Sequence, residues 1–157
     1  MIRHNTPTRI YVRVSPFYKR MFQTIYGTSV VRSDGNRCQL LHTWMRDRLR
    51  RHKTASGSFV QLAITEEEAN TIAFEFSHRQ LLVYGKWMKL GTKNALEKLI
   101  QRDIRLMLRS YLQAKLGSEP KYGELTRAVE SFRQQYGIEE DDYSFEAMVK
   151  EWQRAEN

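Results

Sequence analysis

The sequence predicts a mainly helical α+β protein with two short strands and five or six helices, on three observations. Two runs, Arg9–Val14 and Phe59–Ile64, place β-branched or aliphatic residues at every second position, the period of a strand with one buried face. Elsewhere apolar residues recur mostly at three- and four-residue intervals, and glycines at 27, 85, 117 and 137 close those stretches as helix stops. Hydrophobic residues make up 41% and aromatics 11% of the 157 residues, enough to fill the core of one ordinary domain or two very small ones.

In Arg9–Val14 the inward residues are Ile10, Val12 and Val14, and the outward ones Arg9, Tyr11 and Arg13. Ser15-Pro16 then supplies an N-cap and a first-turn proline for a helix carrying Phe17, Met21, Phe22 and Ile25 as far as Gly27. Ser33-Asp34-Gly35-Asn36 is a turn signature. A helix follows over about 37–51, with Leu40, Leu41, Trp44, Met45 and Leu49 as its apolar stripe. The small polar stretch His52–Ser58 reads as a linker.

After the second strand, Thr65 with Glu68 forms a capping-box pattern, and Glu66–Glu68 suit the positive end of a helix. Ala69, Ile72, Ala73, Phe76, Val83 and Tyr84 continue that helix to Gly85, with a hairpin over 74–84 as the alternative. A long helix is expected over 92–116 and ends at Gly117. The last segment is a helical hairpin. Its first helix starts near Ser118-Glu119-Pro120 and carries Leu125, Val129, Phe132 and Tyr136. Its second carries Phe145, Met148, Val149 and Trp152, and Glu139–Asp142 caps it. Three segments result: 1–53, 58–117 and 118–157. The first two align as an internal strand–helix–helix repeat, with Ile10, Val12, Val14 and Ser15 matching Val60, Leu62, Ile64 and Thr65 at an offset of 50.

Charge is distributed unevenly. The net is +8, with an isoelectric point near 9.7. Residues 1–53 hold twelve Lys and Arg against two acids, and 118–157 hold five against ten. A basic head calls for a polyanion partner, and nucleic acid is the commonest polyanion. No apolar run approaches the roughly 18–20 residues of a spanning helix, so no membrane partner is expected. The N-terminal stretch MIRHNTPTRIYVRV has no apolar core of a secretory signal. The single cysteine, Cys38, permits no intrachain disulfide and fits a cytoplasmic setting.

The strand–helix–helix unit resembles the ribbon-helix-helix superfamily of DNA-binding proteins over Thr8–Arg51, with a degenerate second copy over Ser58–Leu116. The resemblance implies that two strands pair antiparallel and send their outward side chains into the major groove of double-stranded DNA. Arg9, Tyr11, Arg13 and Gln61 would then contact bases, arginine being able to bond guanine O6 and N7 together. Asn36 and Arg37, at the start of the second helix, would meet phosphate. Strand 9–14 would pair either with 59–64 of the same chain or with its counterpart in a homodimer. The Thr28–Asn36 connection is longer than the family's usual turn.

Arg46, Arg48, Arg50, Arg51 and Lys53 form a cationic helix end, suited either to solvent or to a phosphate clamp; Arg46, Arg50, Arg51 and Lys53 are the phosphate contacts expected there. Tyr11 and Tyr18 are the candidates for stacking on bases, whereas Trp44, Trp87 and Trp152 read as core or interface anchors. The resulting expectation is a DNA-binding transcriptional regulator or DNA-processing accessory factor. Two alternatives are an adaptor whose basic head meets an acidic protein and a metal-dependent nucleic-acid-processing enzyme built on Glu139–Asp142. The chain has no Gly-rich phosphate loop, H-x-x-x-H pair or G-x-S-x-G, so neither catalysis nor a cofactor is expected.

Overall fold

Thr8–Arg13 form strand β1, as the alternation requires, but its partner is Thr71–Phe76, here β5, in antiparallel register with Ile10 opposite Phe74. The structure is a computed structural model describing residues 7–34, 38–51, 60–62 and 70–156. Among the described residues the expected pairing of 9–14 with 59–64 within the chain is not formed. Val60–Leu62, here β4, pairs with Trp87–Lys89, β6. The segments 1–53 and 58–117 therefore do not stand as two separate repeats, because their strands interleave in two three-stranded sheets.

The first sheet has the order β1-β5-β2, where β2 is Val30–Val31 and runs parallel to β5. The central strand reads Thr-Ile-Ala-Phe-Glu-Phe and is buried at every position except Glu75. Burial on both faces removes the period of two, so Ile72, Ala73 and Phe76 imitate a helical stripe. The helix expected through this stretch is replaced by β5 and a short helix, α3, His78–Tyr84. Ser77 starts α3 through a reciprocal capping box with Gln80. The Thr65–Glu68 box lies outside the described residues.

Helix α1, Pro16–Tyr26, buries Phe17, Met21 and Phe22 and ends at Gly27 in the left-handed conformation, φ 73°. Ser15 occupies its N-cap, yet its backbone N–H and hydroxyl both donate to Glu97 Oε1, at 2.9 and 3.1 Å. Helix α2, Gln39–Arg48, buries Leu41, His42 and Met45. Leu40, expected in that stripe, is 85% exposed, and His42 takes the inward place. Its Nε2 donates to the Glu75 carbonyl at 2.7 Å, and its ring lies 4.3 Å from that of Phe76. A buried polar ring is tolerated here because its donor has an acceptor. Leu49 leaves the helix and begins β3, Leu49–Arg50, which completes the second sheet in the order β3-β6-β4.

The chain divides into two compact units, Met1–Lys98 and Leu99–Asn157. Helix α4, Thr92–Lys115, begins in the first and continues in the second. In the second unit Ile100, Ile104, Leu108 and Leu112, four residues apart, form one buried row. Helix α5, Glu124–Tyr136, supplies Val129 and Phe132, and α6, Phe145–Glu156, supplies Met148 and Trp152. The expected hairpin of α5 and α6 is present, although α5 begins after Gly123 rather than near Pro120. Tyr111 meets the Phe132 ring edge-on and donates to Ser131 Oγ at 2.8 Å. Glu140 accepts the Phe145 N–H and pairs with Arg133 at 3.0 Å, so the acidic run does cap α6. Among the described residues no helix is long and apolar enough to cross a membrane.

Glu151 is the electrostatic hub of this unit. Its side chain is 3% exposed and meets Arg109 at 2.9 Å, Arg154 at 3.2 Å and Arg105 at 3.6 Å. Burial, with the Glu151 charge in second place, raises the pKa of the neighbouring Tyr143 phenol, while Arg105 and Arg109 oppose the rise. A raised phenol pKa stabilises the fold fully below the unfolded value of about 10, and that stabilisation declines as pH climbs towards the folded value. Tyr143→Phe should therefore flatten the fall in stability above about pH 10. Urea unfolding at neutral and alkaline pH measures this, and parallel curves for both proteins would contradict it.

Candidate nucleic-acid interface

The first unit holds seventeen Lys and Arg against seven Asp and Glu, a net of +10, whereas the second unit's net is −2. The fold gathers part of that charge. The stretches 38–51 and 85–96 together carry seven cations and a single carboxylate, Asp47. They are joined by the pairing of β3 with β6, which sets Leu49 opposite Met88 and Arg50 opposite Trp87.

Three of these arginines are held by neighbouring groups. Arg50 Nη1 donates to the carbonyls of Asp47 and Leu49, both at 2.8 Å. Arg51 Nε donates to the Val83 carbonyl at 2.7 Å. The Arg46 guanidinium lies 5.5 Å from the centre of the Tyr84 ring and 3.3 Å from Asp47. A guanidinium held in this way has less rotamer freedom to lose when its remaining N–H groups meet phosphate. Arg48 stacks over Trp44 at 5.0 Å and donates to Thr92 Oγ1 at 3.3 Å. Burial, and then the charge of Arg50, lowers its pKa from the ordinary arginine value. Arg48 is thus built into the support of this surface.

Gly85 makes the surface possible. Its φ is +99°, and a Cβ there would collide with the backbone of Arg50 and Arg51. Only a residue without a side chain lets α3 end directly against β3.

A cavity of about 320 Å³ lies at the turn from β6 into α4, lined by the cations Arg13, Lys89 and Lys93, by Tyr11, Val12, Met88 and Leu90, and by Gly91, Thr92 and Asn94. The first turn of α4 carries no acid, so its free N–H groups and the nearby cations present one sign of charge. This arrangement can take the oxygens of a phosphodiester.

The remaining expected contacts are placed differently. Tyr11 is 5% exposed, so β1 does not offer the open Arg9–Tyr11–Arg13 face that base reading requires; the sheet is covered on both sides there. Arg9 is half-buried opposite Glu75, 3.9 Å from its carboxylate, which also binds Arg32 at 2.7 Å. Hydrogen bonding to Glu75 raises the Arg32 pKa. Arg13 is exposed at the end of β1, beside the cavity. Gln61 lies in β4 opposite Met88, on the sheet that carries Arg50. Asn36, Arg37 and Lys53 fall outside the described residues. Tyr18 is half-buried with its ring 5.4 Å from Phe17.

Lys86, Lys89 and Lys93 were not singled out by the sequence. Their only local signal is spacing in an acid-free stretch, and the strand pairing joins that stretch to the one that holds the arginines. Elsewhere, Glu140 is engaged by Arg133 and the α6 terminus, and Asp142 accepts from the Glu139 N–H at 3.4 Å. Among the described residues no group of three or more His, Cys, Asp or Glu could hold a metal ion. Burial raises the Cys38 pKa, which disfavours a reactive thiolate. Comparison with protein-family models, curated proteins and solved structures finds no match to this chain.

Proposed function

We propose that the protein binds double-stranded DNA through the cationic surface of its first unit, as a transcriptional regulator or an accessory factor in DNA processing. The observation that carries this reading is the pairing of β3 with β6, which joins the stretch holding Arg46, Arg50 and Arg51 to the stretch holding Lys86, Lys89 and Lys93, with Asp47 the one acid in either. Arg50 and Arg51 serve as phosphate contacts, and their bonds to backbone carbonyls aim them. Arg13, Lys89 and Lys93 around the α4 start form a second phosphate position. A homodimer would place two such surfaces on one duplex. The reading assigns no catalytic residue and no cofactor.

Fluorescence anisotropy with a random duplex tests it. Affinity should fall steeply between 50 and 200 mM salt, on the order of a thousandfold if about six phosphates are neutralised. The double variant Arg50→Ala/Arg51→Ala should weaken binding to all sequences alike and reduce the salt slope by about two, one for each lost contact. No binding at low salt would overturn the proposal. An unchanged slope would remove these arginines from it.

A further inference from the structure

The exposed face of α3 carries a feature that phosphate binding alone does not use. Arg79, Leu82 and Val83 stand at i, i+3 and i+4, so they share one side of the helix, and all three are exposed. Leu82 is 63% and Val83 50% exposed, whereas Leu81 is buried. Single exposed aliphatics are ordinary on protein surfaces. Here two are adjacent on a seven-residue helix whose end lies against the arginines of the interface. Arg51 bonds the Val83 carbonyl, Arg46 covers the Tyr84 ring, and exposed Lys86 follows the helix.

We propose that Leu82 and Val83 form a wedge that enters the minor groove and partly unstacks a base step, kinking the duplex. This inference rests on the DNA-binding reading and gives it a mode. Arg46 and Arg51 against the end of α3, Lys86 after it and Arg79 on its exposed side suit the phosphates that border the groove, and the aliphatic pair suits the faces of stacked bases. The deformation is cheapest at flexible pyrimidine–purine steps, so such steps supply sequence preference without hydrogen bonds to bases.

The test is a bending assay with the full chain and a duplex carrying donor and acceptor dyes at its two ends. Wild-type protein should raise energy transfer by an amount consistent with a kink on the order of 20–90°. Leu82→Ala/Val83→Ala should bind with an unchanged salt slope, because no cation is removed, and leave energy transfer at the level of free DNA. Both positions are exposed, so an unchanged melting temperature checks that the variant is folded. Binding by wild type without bending, or equal bending by the variant, overturns the wedge and leaves the DNA reading standing. Absence of any duplex binding overturns both. Loss of binding to phosphatidylserine vesicles by a variant that still bends DNA would identify the pair as a membrane contact and also overturn the wedge.

Discussion

Gly85→Ala should lower stability by about 3 kcal/mol and weaken DNA binding along with it. Two costs combine. A residue with a Cβ held at φ 99° and ψ 172° occupies a region essentially reserved for glycine and pays about 1–3 kcal/mol for its backbone conformation. The new methyl also runs into Arg50 and Arg51, and what it meets is main chain rather than the movable end of a side chain. Relief requires β3 to shift from β6, which gives up strand pairing and disturbs the carbonyls that aim Arg50 and Arg51. Overpacking of this kind costs about 1–3 kcal/mol beyond the backbone term. Gly27→Ala is the comparison. Its φ of 73° and ψ of 7° are the milder left-handed conformation, and a Cβ there meets nothing within 4 Å, so only a backbone cost of about 1–2 kcal/mol remains. Urea unfolding of the two variants measures the difference. Equal losses would show that neither the backbone conformation of Gly85 nor the close approach of α3 to β3 has an energetic consequence.

The second large effect is expected in the other unit. Glu151→Gln keeps the shape of the side chain and removes the one negative charge that Arg105, Arg109 and Arg154 share. Removing one partner of a buried ion pair typically costs about 3–5 kcal/mol, because the other charge is left without compensation. The three arginines are 43%, 39% and 65% exposed, so water relieves part of that penalty, and about 2–3 kcal/mol is the expected loss. Thermal unfolding measures it, and Glu146→Gln is the control. Glu146 is 79% exposed and pairs with Lys150 on the surface of α6, so its loss should fall within about 1 kcal/mol. Similar losses from the two substitutions would contradict the hub role of Glu151.

The parts of the molecule that could be read along the chain are those governed by neighbours a few residues away. Pro16 and Gly27 bound α1, Gly137 closes α5, the 92–116 stripe is α4, and the acids before Phe145 cap α6. Each depends on interactions spanning three or four residues, and those leave a mark in residue order. Ser77 and Gln80 carried an S-x-x-Q signature of the same kind, obscured because the residues before them read as helix. The cationic cluster at Arg46–Arg51 was equally visible, since four arginines fall within six residues.

Strand pairing belongs to the other category. Residues 71–76 lose their alternation because β5 lies between two strands and is covered on both faces, so the stretch resembles a helical stripe. Val60–Leu62 has the composition of a partner for β1, yet pairs with β6. Which edges meet depends on burying whole faces at once, a quantity that no short window contains. The same holds for the site. That Tyr11 is covered, that Arg51 is aimed by Val83, and that the stretch of Lys86 and Lys89 is joined to that of Arg50 all follow from contacts between segments far apart in the chain. Basic charge and helix boundaries are local properties written in residue order; the shape of the charged surface exists only once distant strands have paired.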